Sequence, residues 1–182
     1  MGNCPENGLR LLYSEERIRA EVARLADEIS RDYAGKEIVL LVVLKGAFFF
    51  AADLARQIRC PLGIVFVRLS SYSGTETTGQ VTLVGDIAAD VAGRHVILIE
   101  DIVDTGLSLS FLLRSVIQKE PASIRTCALI DKKGRRRTDV RVEYVGIVSY
   151  DGFLVGYGLD LDEGCRELPA IYELVPKPSM EV

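Results

Sequence analysis

Apolar strand-like runs alternating with helical segments predict an α/β fold, a mainly parallel twisted sheet flanked by helices. Two observations carry this expectation. The run IVLLVVL at 38–44 is continuous, rich in β-branched residues and too short to span a bilayer, as a strand buried on both faces would be. Further apolar runs at 63–69, 81–84, 95–99, 124–130, 142–149 and 153–157 alternate with helix-period or turn-forming stretches. The 182 residues suffice for one domain, 1–182, with a continuous core.

Ser14 precedes Glu15 and Glu16, and Ile18, Val22, Leu25 and Ile29 then recur at helical spacing. That pattern predicts a capped amphipathic helix ending near Gly35. The strand at 38–44 is followed by an expected apolar helix from Phe48 to Ile58. After the strand at 63–69, the stretch SSYSGTETTG from Ser70 to Gly79 has no apolar periodicity and is expected to be a mobile loop. The run HVILI at 95–99 leads into EDIVDTGLS and a helix with Leu109, Leu112, Leu113 and Val116 on its inner faces. The expected order there is strand, acidic loop, helix.

Composition narrows the function classes. Hydrophobic residues at 48% and charged residues at 26% exclude a disordered or fibrous chain. A net charge of -4 gives no general attraction to nucleic acid or anionic lipid, so a phosphorylated ligand needs a local site. Cys4, Cys60, Cys127 and Cys165 form no CxxC pair and are expected as free thiols in a reducing, cytoplasmic compartment. The N-terminus lacks a basic segment followed by an apolar stretch, and Glu6 stands where an acylation signal requires Ser or Thr, so neither export nor anchoring is expected.

Ligands of open α/β sheets bind beyond the carboxyl ends of the strands, which points to Glu100, Asp101, Asp104, Thr105, Gly106 and Ser108. Hydroxyls, a glycine that admits close backbone approach and free N–H groups at a helix start suit a phosphate dianion. The adjacent carboxylates suit a sugar diol or Mg²⁺. Read alone, the same residues also fit a simple helix-capping turn.

The full string VILIEDIVDTGLS (96–108) resembles the 5-phosphoribosyl pyrophosphate signature of the type I phosphoribosyltransferases. The similarity extends through LVVLKGAFFFAADLAR (41–56), RLSSYSG (68–74), ALIDKKGRR (128–136) and DGFLVGYGLDLDEGCRELP (151–169). Together these look like the hypoxanthine-guanine phosphoribosyltransferase family. The resemblance implies the type I phosphoribosyltransferase fold with a small hood subdomain from the N-terminal segment and about 150–182, and a lid at about 70–80 carrying Ser71 and Tyr72.

The resemblance further implies that hypoxanthine or guanine reacts with 5-phosphoribosyl pyrophosphate to give IMP or GMP and pyrophosphate. Glu100 and Asp101 would hold the ribose hydroxyls and a metal, and Thr105, Gly106, Leu107 and Ser108 the 5-phosphate. Asp104 would be the acid or base at purine N7. Lys45 and Gly46 would form the pyrophosphate loop, preceded by a cis peptide, and Arg166 would contact the pyrophosphate. Lys132, favoured over Lys133, would donate to the exocyclic O6, Phe153 would stack on the ring and the Leu154 backbone would face its edge. Asp160, counted with the purine-binding residues, would also reach a second Mg²⁺ on the pyrophosphate, making Glu100, Asp101 and Asp160 the metal residues.

Leu161 departs from the family's usual Tyr after that acid, which bears on the packing there and not on Asp160. His95, the only histidine, has no nucleophile partner in any recognised pattern and is read as structural. No nucleic-acid or membrane partner is expected, and the implied assembly is a homodimer or homotetramer. Transferases for xanthine, adenine or orotate share the phosphate loop, and an RNA-binding attenuation protein shares the fold. Asp104 and the FLVGYGLD segment favour the hypoxanthine-guanine type.

Overall fold

The computed structural model describes residues 4–5, 8–71, 81–84 and 91–175. In chain order they form β1 (Leu9–Tyr13), α1 (Glu15–Asp32), β2 (Ile38–Leu44), α2 (Phe48–Ala55), β3 (Leu62–Ser71) and β4 (Val81–Val84). There follow β5 (His95–Val103), α3 (Leu107–Ile117), β6 (Ser123–Lys132), β7 (Tyr144–Ser149), β8 (Leu154–Val155) and β9 (Ile171–Leu174). The main sheet has the order β4-β3-β2-β5-β6-β7, with β3, β2, β5, β6 and β7 parallel and β4 antiparallel at the edge. A mainly parallel sheet flanked by helices is therefore the observed architecture.

The continuous apolar run of β2 follows from its place between β3 and β5 with helices over both faces. Alternate side chains divide between two cores. Ile38, Leu40 and Val42 join Ile18, Val22, Leu25 and Ile29 of α1 and Phe50 and Leu54 of α2. Leu41 and Val43 instead join Leu109, Leu112 and Val116 of α3. Full burial of one such aliphatic side chain stabilises the fold by about 1.5–3 kcal/mol. Helix α1 starts where Ser14 Oγ accepts from the Arg17 N–H (3.3 Å), with Glu15 and Glu16 in its first turn.

Several boundaries differ from the sequence expectation. Helix α2 ends at Ala55, and the N–H groups of Gln57 and Ile58 turn back onto Leu54 O. Strand β8 is confined to Leu154–Val155, because Gly156, Tyr157 and Gly158 all take positive φ (96°, 49° and 101°). Strand β5 runs on to Val103, so Glu100 and Asp101 lie in the strand end and not in an acidic loop. Continued pairing with β6, Glu100 opposite Ala128 and Val103 opposite Asp131, extends it.

Strands β1, β9 and β8 form a separate antiparallel sheet that joins the two ends of the chain. The cysteine expectation is corrected in the same region. Cys4 and Cys165 are joined in a disulfide with Cα atoms 4.8 Å apart, while Cys60 and Cys127 remain free thiols. A separation of 161 residues hid the pair from spacing arguments, and the compartment inferred from free thiols loses that support. Among the described residues no helix is long and apolar enough to cross a membrane.

Candidate active site

Between β5 and α3 the chain turns within Asp104, Thr105 and Gly106. Gly106 has φ 80°, and a Cβ there would come within 2.9 Å of Val140 Cγ2, so both conformation and space favour glycine. Thr105 Oγ1 accepts from the Leu107 N–H (3.4 Å). A hollow of about 120 Å³ is lined by Glu100, Asp104, Thr105, Gly106 and Ser108 at the start of α3. Hydroxyls and the positive end of a helix dipole thus converge on a space of phosphate size.

Two carboxyls lie beside this hollow. Burial, and then the neighbouring Asp101, push the Glu100 carboxyl well above the usual carboxylate range. Burial pushes Asp101 up to about 6, opposed by backbone hydrogen bonding, including the Ile102 N–H donated to Oδ1 at 2.9 Å. Both stand to gain from a cation. Among the described residues no group of three His, Cys, Asp or Glu side chains gathers to hold a metal, so Glu100, Asp101 and Asp160 do not form a ready-made cage. Mg²⁺ is commonly held by one or two carboxylates plus substrate phosphates, and the adjacent, desolvated Glu100 and Asp101 fit that kind of site.

The peptide between Leu44 and Lys45 is cis, as the resemblance implies for the loop before Lys45. Gly46 lies directly against Asp101: a Cβ there would sit 1.7 Å from Asp101 Oδ2. Gly158 in turn abuts Gly46 O, which its own Cβ would approach to 2.0 Å. These close approaches bring the turn after β8 onto the lysine loop. Across that contact Lys45 Nζ donates to Glu163 (2.8 Å). Arg166 donates to Gly158 O (2.7 Å) and lies 2.9 Å from Asp160 and 3.4 Å from Glu163. The Lys45 ammonium holds the Glu163 carboxyl below its ordinary value. Sequence reasoning missed Glu163, whose only sequence signal is its place between Asp160 and Arg166.

On the other side of Asp104 opens a cleft of about 460 Å³, with Lys132, Phe153, Leu154, Asp160 and Arg135 among its lining residues. Lys132 is buried and its Nζ donates to Gly152 O (2.6 Å), whereas Lys133 turns away to pair with Asp131. Phe153 is 52% exposed and Leu154 is buried. One Asp104 oxygen, Oδ1, is buried without a hydrogen-bond partner, and Oδ2 lies 3.5 Å from the Arg135 guanidinium. Arg135 is a second residue that sequence reasoning missed, hidden among neighbouring bases.

The remaining residues fall outside this constellation or bear on it only indirectly. Ser71 closes β3, and Tyr72 with most of 70–80 lies outside the described residues. Leu161 forms a small bridge with Gly164, its N–H donating to Gly164 O at 3.1 Å. His95 Nδ1 is 2.8 Å from Ser123 Oγ, and the ring packs edge-on to Tyr33, in keeping with a structural role. A second cleft of about 440 Å³, between α1, α2 and 167–169, contains none of the predicted site residues.

A family model described as the phosphoribosyl transferase domain matches residues 11–162. The chain belongs to the phosphoribosyl transferase family. This transferase is 42% identical over 166 residues to the hypoxanthine-guanine phosphoribosyltransferase of Aquifex aeolicus, with 90% of this chain and 93% of that one covered. It is 39% identical over 170 residues to the hypoxanthine phosphoribosyltransferase of Salmonella typhimurium, covering 92% and 96%. A crystal structure of a hypoxanthine-guanine phosphoribosyltransferase from Bacillus anthracis matches the transferase with a TM-score of 0.85 at 45% identity, covering 92% of this chain and 97% of that one.

Proposed function

We propose that this transferase moves the ribose 5-phosphate of 5-phosphoribosyl pyrophosphate onto N9 of hypoxanthine or guanine, releasing pyrophosphate and forming IMP or GMP in purine salvage. The observation that carries this reading is the position of Asp104. It stands between the phosphate-sized hollow and the cleft of Lys132 and Phe153, with one carboxylate oxygen lacking a hydrogen-bond partner. The names of the relatives supply the substrates.

In the proposed reaction Thr105, Gly106, Leu107 and Ser108 hold the 5-phosphate through N–H groups and hydroxyls. Lys132 donates to O6, a contact that a 6-amino group cannot accept. Phe153 offers its exposed ring to the purine face, and the Leu154 backbone meets its edge. Asp104 accepts the N7 proton as positive charge builds on the base. Lys45 and Arg166 exchange the Glu163 carboxylate for pyrophosphate oxygens, with Gly46 keeping the loop close. Mg²⁺ would be held at Glu100 and Asp101, with Asp160 for a second ion, and when bound it neutralises charge on the leaving pyrophosphate.

The sequence character of 70–80 supports a lid with Ser71 and Tyr72 over the reacting centre. The resemblance implies a cytoplasmic homodimer or homotetramer with no nucleic-acid or membrane partner. The test of the reading is a base panel against one donor. Hypoxanthine and guanine are expected to be consumed with the highest kcat/KM, and adenine at least tenfold less well, about one lost hydrogen bond to a charged group. A preference for adenine or orotate would overturn the reading.

A further inference from the structure

The phosphate-binding turn is braced from behind by a segment that the proposed mechanism does not use. Thr105 O accepts two backbone N–H groups from this segment, Arg137 at 2.9 Å and Thr138 at 3.2 Å. Gly106 lies against Val140 Cγ2, Arg136 Cδ and Thr138 O, where an added Cβ would meet them at 2.9, 3.2 and 3.2 Å. The segment is itself pinned by Arg136. Its guanidinium pairs with Asp131 and points at Val103 O (3.4 Å), just before the turn, and at Val140 O (3.5 Å), at the far end of the strap.

Asp131 is 1% exposed in the last residues of β6, opposite Val103 of β5 and Val148 of β7. A carboxylate so buried is costly unless it is paired, and removing its partner leaves a charge without compensation. Among the described residues its cationic partners are Arg136 and Lys133, and Arg136 also reaches Val103 O beside the phosphate turn. A planar fork can bond the carboxylate and the flanking carbonyls together, which a single ammonium cannot.

We infer that Asp131 and Arg136 are positioning residues for the 5-phosphate: the pair fixes the strap at 133–140, which holds Thr105 and Gly106 in the conformation that aims the first turn of α3 at the phosphate. This rests on the proposed function, since it assigns a device to the same site. Neither side chain is required to touch substrate. The brace bears first on the phosphate end, because the strap meets Thr105 and Gly106 there, whereas Lys132, Phe153 and Leu154 of the base end lie outside it and only Arg135 of the strap lines the base cleft.

The test compares IMP with inosine, which differs only in lacking the 5-phosphate, as ligands of the wild-type chain, Arg136→Gln, Arg136→Lys and Asp131→Asn. Arg136→Gln is expected to weaken IMP binding about tenfold or more, the value of one charge-assisted hydrogen bond lost between the displaced turn and the phosphate. Inosine affinity should stay within about twofold. Arg136→Lys, which keeps the charge pair but loses the fork, should fall between wild type and Arg136→Gln. Unchanged IMP binding, or an equal loss for IMP and inosine, would overturn the inference, the second result marking a general structural role. If Asp131→Asn fails to fold, the order of the two Arg136 variants decides the question. A wild-type chain that binds neither ligand would sink the functional reading itself, and this inference with it.

Discussion

Asp104 has two unlike carboxylate oxygens, one buried without a partner and the other facing Arg135 at 3.5 Å. An orphaned acceptor beside a cleft has a use if a substrate proton arrives there. Asp104→Asn keeps the size of the side chain and removes its basicity. We expect kcat to fall by about 10²-fold, the low end for general acid-base catalysis, because water can also take this proton. Donor KM and melting temperature should hardly change, which separates loss of a base from loss of a cap. Lys132 makes a second prediction at this scale. In Lys132→Ala, the preference for hypoxanthine over adenine, measured as the ratio of kcat/KM values, should drop about tenfold or more. An unchanged ratio would move the role to Arg135, the other cation lining the cleft. The identity of the favoured lysine could be argued from sequence. The contact of Lys133 with Asp131 could not, because it depends on the side-chain direction at the end of β6.

Among the elements, those legible in sequence were the ones whose burial writes a pattern. Strand β2 occupies 38–44 as expected, because both of its faces are covered and every position had to be apolar. Helix α1 announced itself through Ser14, two acids and a regular stripe. Strands β1 and β9 were missed: Leu11 is 55% exposed and Arg10 pairs with Glu173 on the surface, so no alternation marks them. The lysine loop owes its shape to contacts distant in sequence, and Gly46 tests it. In Gly46→Ala the new Cβ would overlap Asp101 Oδ2 at 1.7 Å, which only a displaced carboxylate relieves. Steady-state kinetics should show donor KM raised about tenfold or more, with base KM little changed, as expected when one charged contact is lost. An unaltered donor KM would mean that Asp101 and Gly46 can separate without harm.

Over the whole molecule, the site is assembled at the carboxyl ends of parallel strands, as open α/β sheets require, and completed by the turn after β8. The phosphate signature was readable because its thirteen residues are contiguous at 96–108. The pairs that close the site were not, since Lys45 and Glu163 stand 118 residues apart and Cys4 and Cys165 161 apart. Tyr157 Oη donates to Asp53 at 2.6 Å and fixes the same late segment to α2, again across most of the chain. Such contacts depend on how the two sheets meet, which no local pattern records. With a net charge of -4 the chain gives an anionic donor no general attraction, so the donor depends on local groups such as Lys45 and Arg166. Joint quantification of IMP and pyrophosphate, formed from hypoxanthine and 5-phosphoribosyl pyrophosphate with Mg²⁺ and again in excess chelator, tests the central claim most directly. The account predicts equal amounts of the two products with the metal and no turnover in chelator. Pyrophosphate released without IMP, or full turnover in chelator, would contradict it.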